Sequence, residues 1–262
     1  MSMSALEDFS LRGKVVVLTG GAGLFGRGLA AMLAESGATL VLAARNVEKL
    51  DYVVRAERAR GFDVHAESLD QGEEKSILAL RDRVISQHGR VDGLVNNAVL
   101  RVMKSPQDDV STWEQSMKVN ATGLMLITRA FGDAMAANSN GGSIVNIGSI
   151  QGAVGASLEL YEGTDMGVPP PDYFFHKGGM MNLTRYHAAI YGSKNIRVNC
   201  LLPGGFFNHQ PEPFLTRYNQ HTMLNRMAGE RDLGGAVIFL LSDASRYITA
   251  AMIPVDGGYT AK

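Results

Sequence analysis

Apolar positions along this chain follow two alternating rhythms. Short continuous runs, KVVVLTG (14–20), TLVLAAR (39–45), VDGLVNNA (91–98), GSIVNIGS (142–149), IRVNCLLPG (196–204) and MIPVDGG (252–258), are apolar on consecutive positions. They predict strands covered on both faces, with VHAESLD (64–70) as a probable further strand. Between them, residues 26–36, 73–88, 111–138, 173–191 and 233–241 carry apolar side chains at helical spacing. Strand and helix in regular alternation predict an α/β fold: one doubly wound parallel sheet of the Rossmann type with helices on both faces. No internal repeat or low-complexity tract interrupts the pattern, so residues 1–262 read as a single domain.

Composition narrows the class. Hydrophobic residues make up 45% and charged residues 19%, with 30 glycines and a net charge of -1, a balance that argues against a nucleic-acid surface. Cys200 is the only cysteine, so neither an intrachain disulfide nor a cysteine metal site is expected. The segment MSMSALEDFSLRGK lacks the apolar core of a secretory signal, and no apolar run approaches the roughly 20 residues of a membrane helix. A cytoplasmic protein without a membrane partner is expected. The histidines show no metal-ligand spacing with carboxylates, His176 is expected to point away from the face of Tyr173 and Lys177, and the 13 methionines read as core filler.

The first strand runs directly into TGGAGLFGRGLA, a Gly-rich turn opening a helix. Glycines there permit a tight turn and close backbone approach, while the helix N-terminus offers unpaired N–H groups to an anion. Gly20, Gly23 and Gly26 are the expected phosphate-facing positions of a dinucleotide site. At the end of the second strand, where a carboxylate would hold both ribose hydroxyls of NAD, stands Ala44, followed by Arg45. An arginine fork suits a 2′-phosphate, so NADP(H) is preferred and NAD(H) remains an option. Asp70 is placed to touch the adenine amine.

These residues, together with NNA (96–98), KVNATG (118–123), GSIVNIGSI (142–150), a Tyr-x-x-x-Lys pair at Tyr173 and Lys177, RVNCLLPG (197–204) and VDGG (255–258), resemble the classical short-chain dehydrogenases/reductases over nearly the whole chain. The resemblance implies a Rossmann-type fold, a homotetramer or homodimer, and reversible hydride transfer between a nicotinamide and a carbonyl or alcohol. It implies a tetrad of Asn120, Ser149, Tyr173 and Lys177. Asn96 and Ala98 match the motif that steadies the sheet and lines the adenine-ribose side. Cofactor contacts are implied at Leu24, Phe25, Asn97, Ala98, Tyr173, Lys177, Pro203 and Gly204.

Two tyrosines compete for the catalytic role. Tyr161 stands twelve residues past Ser149 (161 minus 149), near the spacing of the family, but Asp165 occupies its i+4 position. Tyr173 stands twenty-four past Ser149 (173 minus 149), and Lys177 follows it at i+4 on the same helix face. A nearby ammonium lowers a phenol's pKa, so the chemistry selects Tyr173. Asn120 is expected to anchor a water relay to Lys177.

Three positions depart from the family pattern: Leu24 replaces the middle glycine of the turn, Val99 follows NNA, and Asn208 stands where a threonine often meets the nicotinamide amide. Residues 161–172 are an insertion, which Pro169, Pro170 and Pro171 should stiffen and Asp172 should close by capping the helix that begins at Tyr173. It reads equally as a substrate-facing wall or a surface insertion. Residues 204–230 form the expected substrate lid, and Gln151, Phe206, Asn208 and His209 are candidate substrate contacts. The expected function is reduction or oxidation of a small polar carbonyl or secondary alcohol, such as a sugar or polyol. A 3-oxoacyl thioester reductase, a steroid or aromatic-alcohol dehydrogenase, and a non-catalytic NADP-binding regulator are the alternatives.

Overall fold

In a computed structural model, residues 5–138 and 140–262 are described, and the main chain builds one seven-stranded sheet. The strands are β1 (Val15–Thr19), β2 (Thr39–Ala44), β3 (Val64–Ser68), β4 (Gly93–Asn96), β5 (Gly142–Ile147), β6 (Ile196–Pro203) and β7 (Met252–Val255). Every neighbouring pair is parallel, in the order β3-β2-β1-β4-β5-β6-β7. The order reverses between β1 and β4, and a doubly wound sheet has its binding crevice at such a reversal, outside the carboxyl ends of the strands.

Consecutive apolar residues on β1 serve both faces of the sheet. Val16 and Leu18 join a cluster with Leu29 and Leu33 of α1 (Leu24–Glu35), Leu50 and Val54 of α2 (Val47–Ala59), and Val237 and Leu240 of α8 (Gly234–Leu241). Val15 and Val17 point the other way, onto Ile77 and Leu80 of α3 (Glu74–His88), Phe131 of α5 (Leu124–Ala136) and Tyr191 of α6 (Pro171–Tyr191). Removal of apolar surface from water on two faces at once is what the unbroken Val/Leu run encodes.

The sequence pattern needs four corrections. The 111–138 segment is not one helix: α4 (Val110–Met117) passes into a π-helical stretch, Lys118–Gly123, before α5 begins. That stretch is KVNATG itself, and π turns of this kind concentrate at functional sites. The strand drawn over 91–98 ends at Asn96, leaving Asn97 and Ala98 on the following loop. Helices α2 and α7 (Glu212–His221) were not separated from their surroundings by pattern, because both are rich in charged and polar residues and bury only a narrow stripe. Asp172 does not cap α6. The helix already begins at Pro171, and the buried Asp172 carboxylate accepts a hydrogen bond from Ser116 of α4.

Candidate active site

The Gly-rich turn lies at the end of β1. Gly20 adopts φ +69°, and a Cβ there would lie 3.0 Å from the Ala98 Cα. At Gly26 a Cβ would lie 2.1 Å from the Gly20 carbonyl oxygen, so the first turn of α1 can approach the loop only without a side chain. Gly23 is the N-cap of α1 and has no side chain to satisfy the first N–H groups of that helix. These features fit the pyrophosphate of a dinucleotide. Leu24 is exposed, and Phe25 packs edge-on against Phe206 with ring centres 4.9 Å apart, which brings the base of the lid over the turn.

Thr19, which the sequence reading passed over, ties this turn to NNA. Its hydroxyl accepts from the N–H groups of Asn97 (3.0 Å) and Ala98 (2.9 Å), and the Asn97 side-chain amide donates to the carbonyls of Thr19 (2.9 Å) and Gly20 (3.1 Å). The Asn97 amide therefore shapes the cradle through the backbone. Asn96 is buried and steadies the sheet. Its amide donates to Asn146 of β5 (2.8 Å) and Thr128 of α5 (3.0 Å), and Asn146 donates in turn to Thr184 of α6 (2.9 Å). This polar relay holds the helix that carries Tyr173.

Arg45, at the end of β2, is exposed, and among the described residues no carboxylate pairs with its guanidinium. It is free to meet an anion. Asp70 lies beyond β3 and accepts from the N–H of Gly72 at 2.9 Å. Pro203 ends β6, and Gly204 follows where a Cβ would lie 3.0 Å from both the Asp256 Cα and the Tyr218 hydroxyl.

Asn120 sits in the π turn, buried. Its side chain donates to the Leu100 carbonyl (2.7 Å) and to Ser116 (3.0 Å) and accepts from the Leu100 N–H (2.8 Å). The Asn120 side chain is thus engaged with Leu100 in the loop after β4 and with Ser116 of α4. Ser149 follows β5 in extended conformation, and its hydroxyl accepts from the Gln151 N–H at 3.2 Å.

Tyr173 and Lys177 lie one turn apart on α6, with the ammonium 5.7 Å from the phenol ring centre. Lys177 is buried and donates to the Ile147 carbonyl at 2.6 Å. Burial alone would push the Tyr173 pKa up, but the Lys177 ammonium, the Arg101 guanidinium and hydrogen bonding with Ser149 and Arg101 outweigh it, and the phenol lies below its ordinary value. Burial, followed by the like charge of Arg101, lowers Lys177, against the opposing influence of Tyr173. His176 corrects an expectation: its ring packs edge-on against Tyr173 at 5.3 Å, and burial with the charges of Lys177 and Arg101 lowers its pKa to about 3.

Arg101 is the residue of the site that pattern reading missed. Its guanidinium carbon lies 4.6 Å from the centre of the Tyr173 ring. The signal available was a cation three positions beyond Ala98, which has no meaning until the loop is folded.

The two tyrosines differ as their partners differ. Tyr161 is raised by burial, which outweighs a hydrogen bond with the Gln151 side chain. It packs edge-on against Phe214 of α7 at 5.3 Å. Around it, Leu160, Phe214, Tyr218 and Met227 form a small buried cluster joining the insertion to the lid. Glu159 pairs with His221 (3.3 Å), Arg217 donates to the Glu162 carbonyl, and Tyr259 donates to Ser157 (3.1 Å). The insertion thus docks on the lid helix and the C-terminal turn.

Asn208 and His209 are exposed. The Asn208 N–H donates to the Gln210 side chain (2.7 Å), and His209 packs on Phe207 (5.3 Å) at a positive φ of 55°. Neither is in hydrogen-bonding or ring contact with Tyr173 or Ser149. Among the described residues no cluster of His, Cys, Asp and Glu could hold a metal ion, and no helix is long and apolar enough to cross a membrane.

A family model described as Enoyl-(Acyl carrier protein) reductase matches residues 22–260. Cis-4-hydroxycyclohexanecarboxylate dehydrogenase of Sinomonas cyclohexanicum is 34% identical over 255 residues, covering 95% of this chain and 97% of that protein. The 2-dehydro-3-deoxy-D-gluconate 5-dehydrogenase of Escherichia coli (strain K12) is 31% identical, covering 98% and 99%. A crystal structure of a gluconate 5-dehydrogenase from Burkholderia cenocepacia J2315, in complex with NADP and tartrate, superposes with a TM-score of 0.89 at 30% identity, covering 99% of this chain and 100% of that one.

The chain belongs to the classical short-chain dehydrogenase/reductase family. It is an NAD(P)-dependent oxidoreductase acting on CH–OH groups.

Proposed function

We propose that this protein interconverts a small polar secondary alcohol and its carbonyl, with NADP(H) preferred, and that Asn120, Ser149, Tyr173 and Lys177 carry the reaction. The observation that supports it most directly is the phenol of Tyr173, held below its ordinary pKa chiefly by Lys177 and hydrogen-bonded with Ser149. A group tuned toward neutrality at a crevice is suited to general acid–base work.

The nicotinamide nucleotide, when bound, supplies or accepts the hydride. Gly20, Gly23 and Gly26 would hold its pyrophosphate, Arg45 its 2′-phosphate, Lys177 its nicotinamide ribose, and Ala98, Pro203 and Gly204 would line its path. In the reductive direction Tyr173 donates its phenolic proton to the oxygen of the substrate, while the Ser149 hydroxyl donates a hydrogen bond to that oxygen and polarises it. In oxidation the phenolate removes the hydroxyl proton. Lys177 stabilises the phenolate electrostatically, and Asn120 positions the loop after β4. The insertion and the lid helix α7 close one side of the crevice as a substrate wall, with Gln151 holding Tyr161 in it.

Small size and polarity of the substrate are supported by the relatives, whose names specify a hydroxycyclohexanecarboxylate and a deoxygluconate. The test is fluorescence titration with NADPH and NADH, followed by turnover on cyclic alcohols, polyols, hydroxy acids and an acetoacetyl thioester. Tighter NADPH binding with turnover on the small polar set is expected. Tight binding without turnover on any member would indicate a non-catalytic cofactor-binding protein and overturn the reading.

A further inference from the structure

The loop after β4 carries into the crevice a cation outside the four residues assigned to the reaction. Arg101 lies three residues past Ala98 and is exposed, yet its guanidinium carbon sits 4.6 Å from the centre of the Tyr173 ring. The backbone that carries it is held on both sides of Leu100 by Asn120, which accepts from the Leu100 N–H (2.8 Å) and donates to the Leu100 carbonyl (2.7 Å). Stacking on an aromatic face restricts the plane of a guanidinium, so little freedom is left to lose when its N–H fork meets a ligand.

The charges around this position have one sign. Lys177 is the other cation beside the phenol, and its ammonium is already bound to the Ile147 carbonyl. Arg101 forms no ion pair with any carboxylate of the described residues. Asp172, next to Tyr173 in sequence, is buried and bound to Ser116, and Glu159, just before the insertion, pairs with His221. A water-accessible arginine without a protein carboxylate, fixed beside the proton donor of the reaction, is suited to a bidentate oxyanion on the substrate.

We propose that Arg101 holds a carboxylate of the substrate, so that the physiological substrate is a small hydroxy acid or oxo acid anion and not a neutral polyol. The inference rests on the dehydrogenase reading and adds to it the charge of the substrate. Arg101 acts as a specificity residue: it fixes which carbon of a hydroxy acid lies under the Tyr173 hydroxyl.

The experiment compares matched pairs that differ only in charge: gluconate with glucitol, and a hydroxycyclohexanecarboxylate with its carboxamide. Binding to the NADPH-saturated enzyme, in which these alcohols cannot react, is measured by calorimetry, and kcat/KM for their oxidation is measured separately with NADP+. The carboxylate of at least one pair should be favoured by about tenfold or more, and Arg101→Gln should reduce that preference to about twofold or less. Arg101→Lys should retain part of it, since charge is kept while the fork is lost. The ratio within a pair is the decisive quantity because both members use the same phenol, so any influence of Arg101 on Tyr173 cancels.

Equal binding and turnover of both members of both pairs by the wild type would overturn the proposal, as would failure of both carboxylates to bind. An equal loss for both members in Arg101→Gln would also overturn it and would make Arg101 a positioning residue acting through the phenol. A carboxylate preference in binding, lost in Arg101→Gln but without turnover on any pair, would uphold the anion site and count against the dehydrogenase reading instead. Thermal melting of both variants, expected to match the wild type because the side chain is exposed, guards against misfolding.

Discussion

The Lys177 ammonium lies 5.7 Å from the centre of the Tyr173 ring, one helical turn further along α6, and is held there by the Ile147 carbonyl. Tyr161 has no lysine at i+4; its hydroxyl meets the neutral Gln151 side chain, and the Arg101 guanidinium is the weakest of the influences on it. The pKa values of the two phenols are displaced in opposite directions, Tyr173 downward and Tyr161 upward. Their environments suit the proposed roles of Tyr173 as proton donor and Tyr161 as a wall residue.

Tyr173→Phe is therefore expected to lower kcat by about 10³-fold, within the range for loss of a general acid–base group, while NADPH binding persists. Tyr161→Phe should stay within about tenfold of the wild type, since it removes one hydrogen bond from a wall residue. Steady-state kinetics of the two variants side by side decide the assignment. Retained activity in Tyr173→Phe, or collapse in Tyr161→Phe alone, would reverse it.

The pH profile follows from the same pair. Alcohol oxidation needs the phenolate, so its rate rises with pH and levels off above the pKa of Tyr173, which lies below the ordinary 10 because of Lys177 first and Arg101 next. The inflection measured at saturating cofactor should fall below 10. Lys177→Met removes the leading stabiliser of the phenolate, so the inflection should move upward. An inflection that stayed in place would mean another group sets it.

Arg45→Ala should weaken NADPH by about 10- to 100-fold, as expected for loss of a charge-assisted contact, and NADH by about threefold or less. Titration of cofactor fluorescence reads both constants. Equal weakening of the two nucleotides would remove the 2′-phosphate from the account of this residue.

Phe214 lies at the centre of the cluster that joins insertion and lid, and it is 5% exposed. Phe214→Ala should cost about 3 to 5 kcal/mol at a buried aromatic position. The loss falls on the docking of residues 158–170 onto α7, so limited proteolysis should cleave that segment faster and KM for substrate should rise more than kcat falls. Unchanged proteolysis would show that the insertion is held by its polar contacts instead.

The alternation of strands and helices, the Gly-rich turn and the pairing of Tyr173, and not Tyr161, with a lysine one turn on were all legible in the sequence. Each depends on residues close together in the chain: consecutive apolar positions, glycines spaced by one turn, an i+4 lysine. Helix α2 was missed because its polar surface masks a narrow buried stripe, and the break at KVNATG because a π turn has no distinct periodicity. Asp172 looked like a helix cap from its place after three prolines, and only the approach of α4, bringing Ser116 to it, gave its carboxylate another partner. Tertiary structure alone decided that Arg101 lies against Tyr173, that Asn120 holds Leu100 and that Tyr161 belongs to the lid cluster. Each of those contacts joins chain segments far apart in sequence, and their juxtaposition is set by sheet order and packing, which local spacing cannot express.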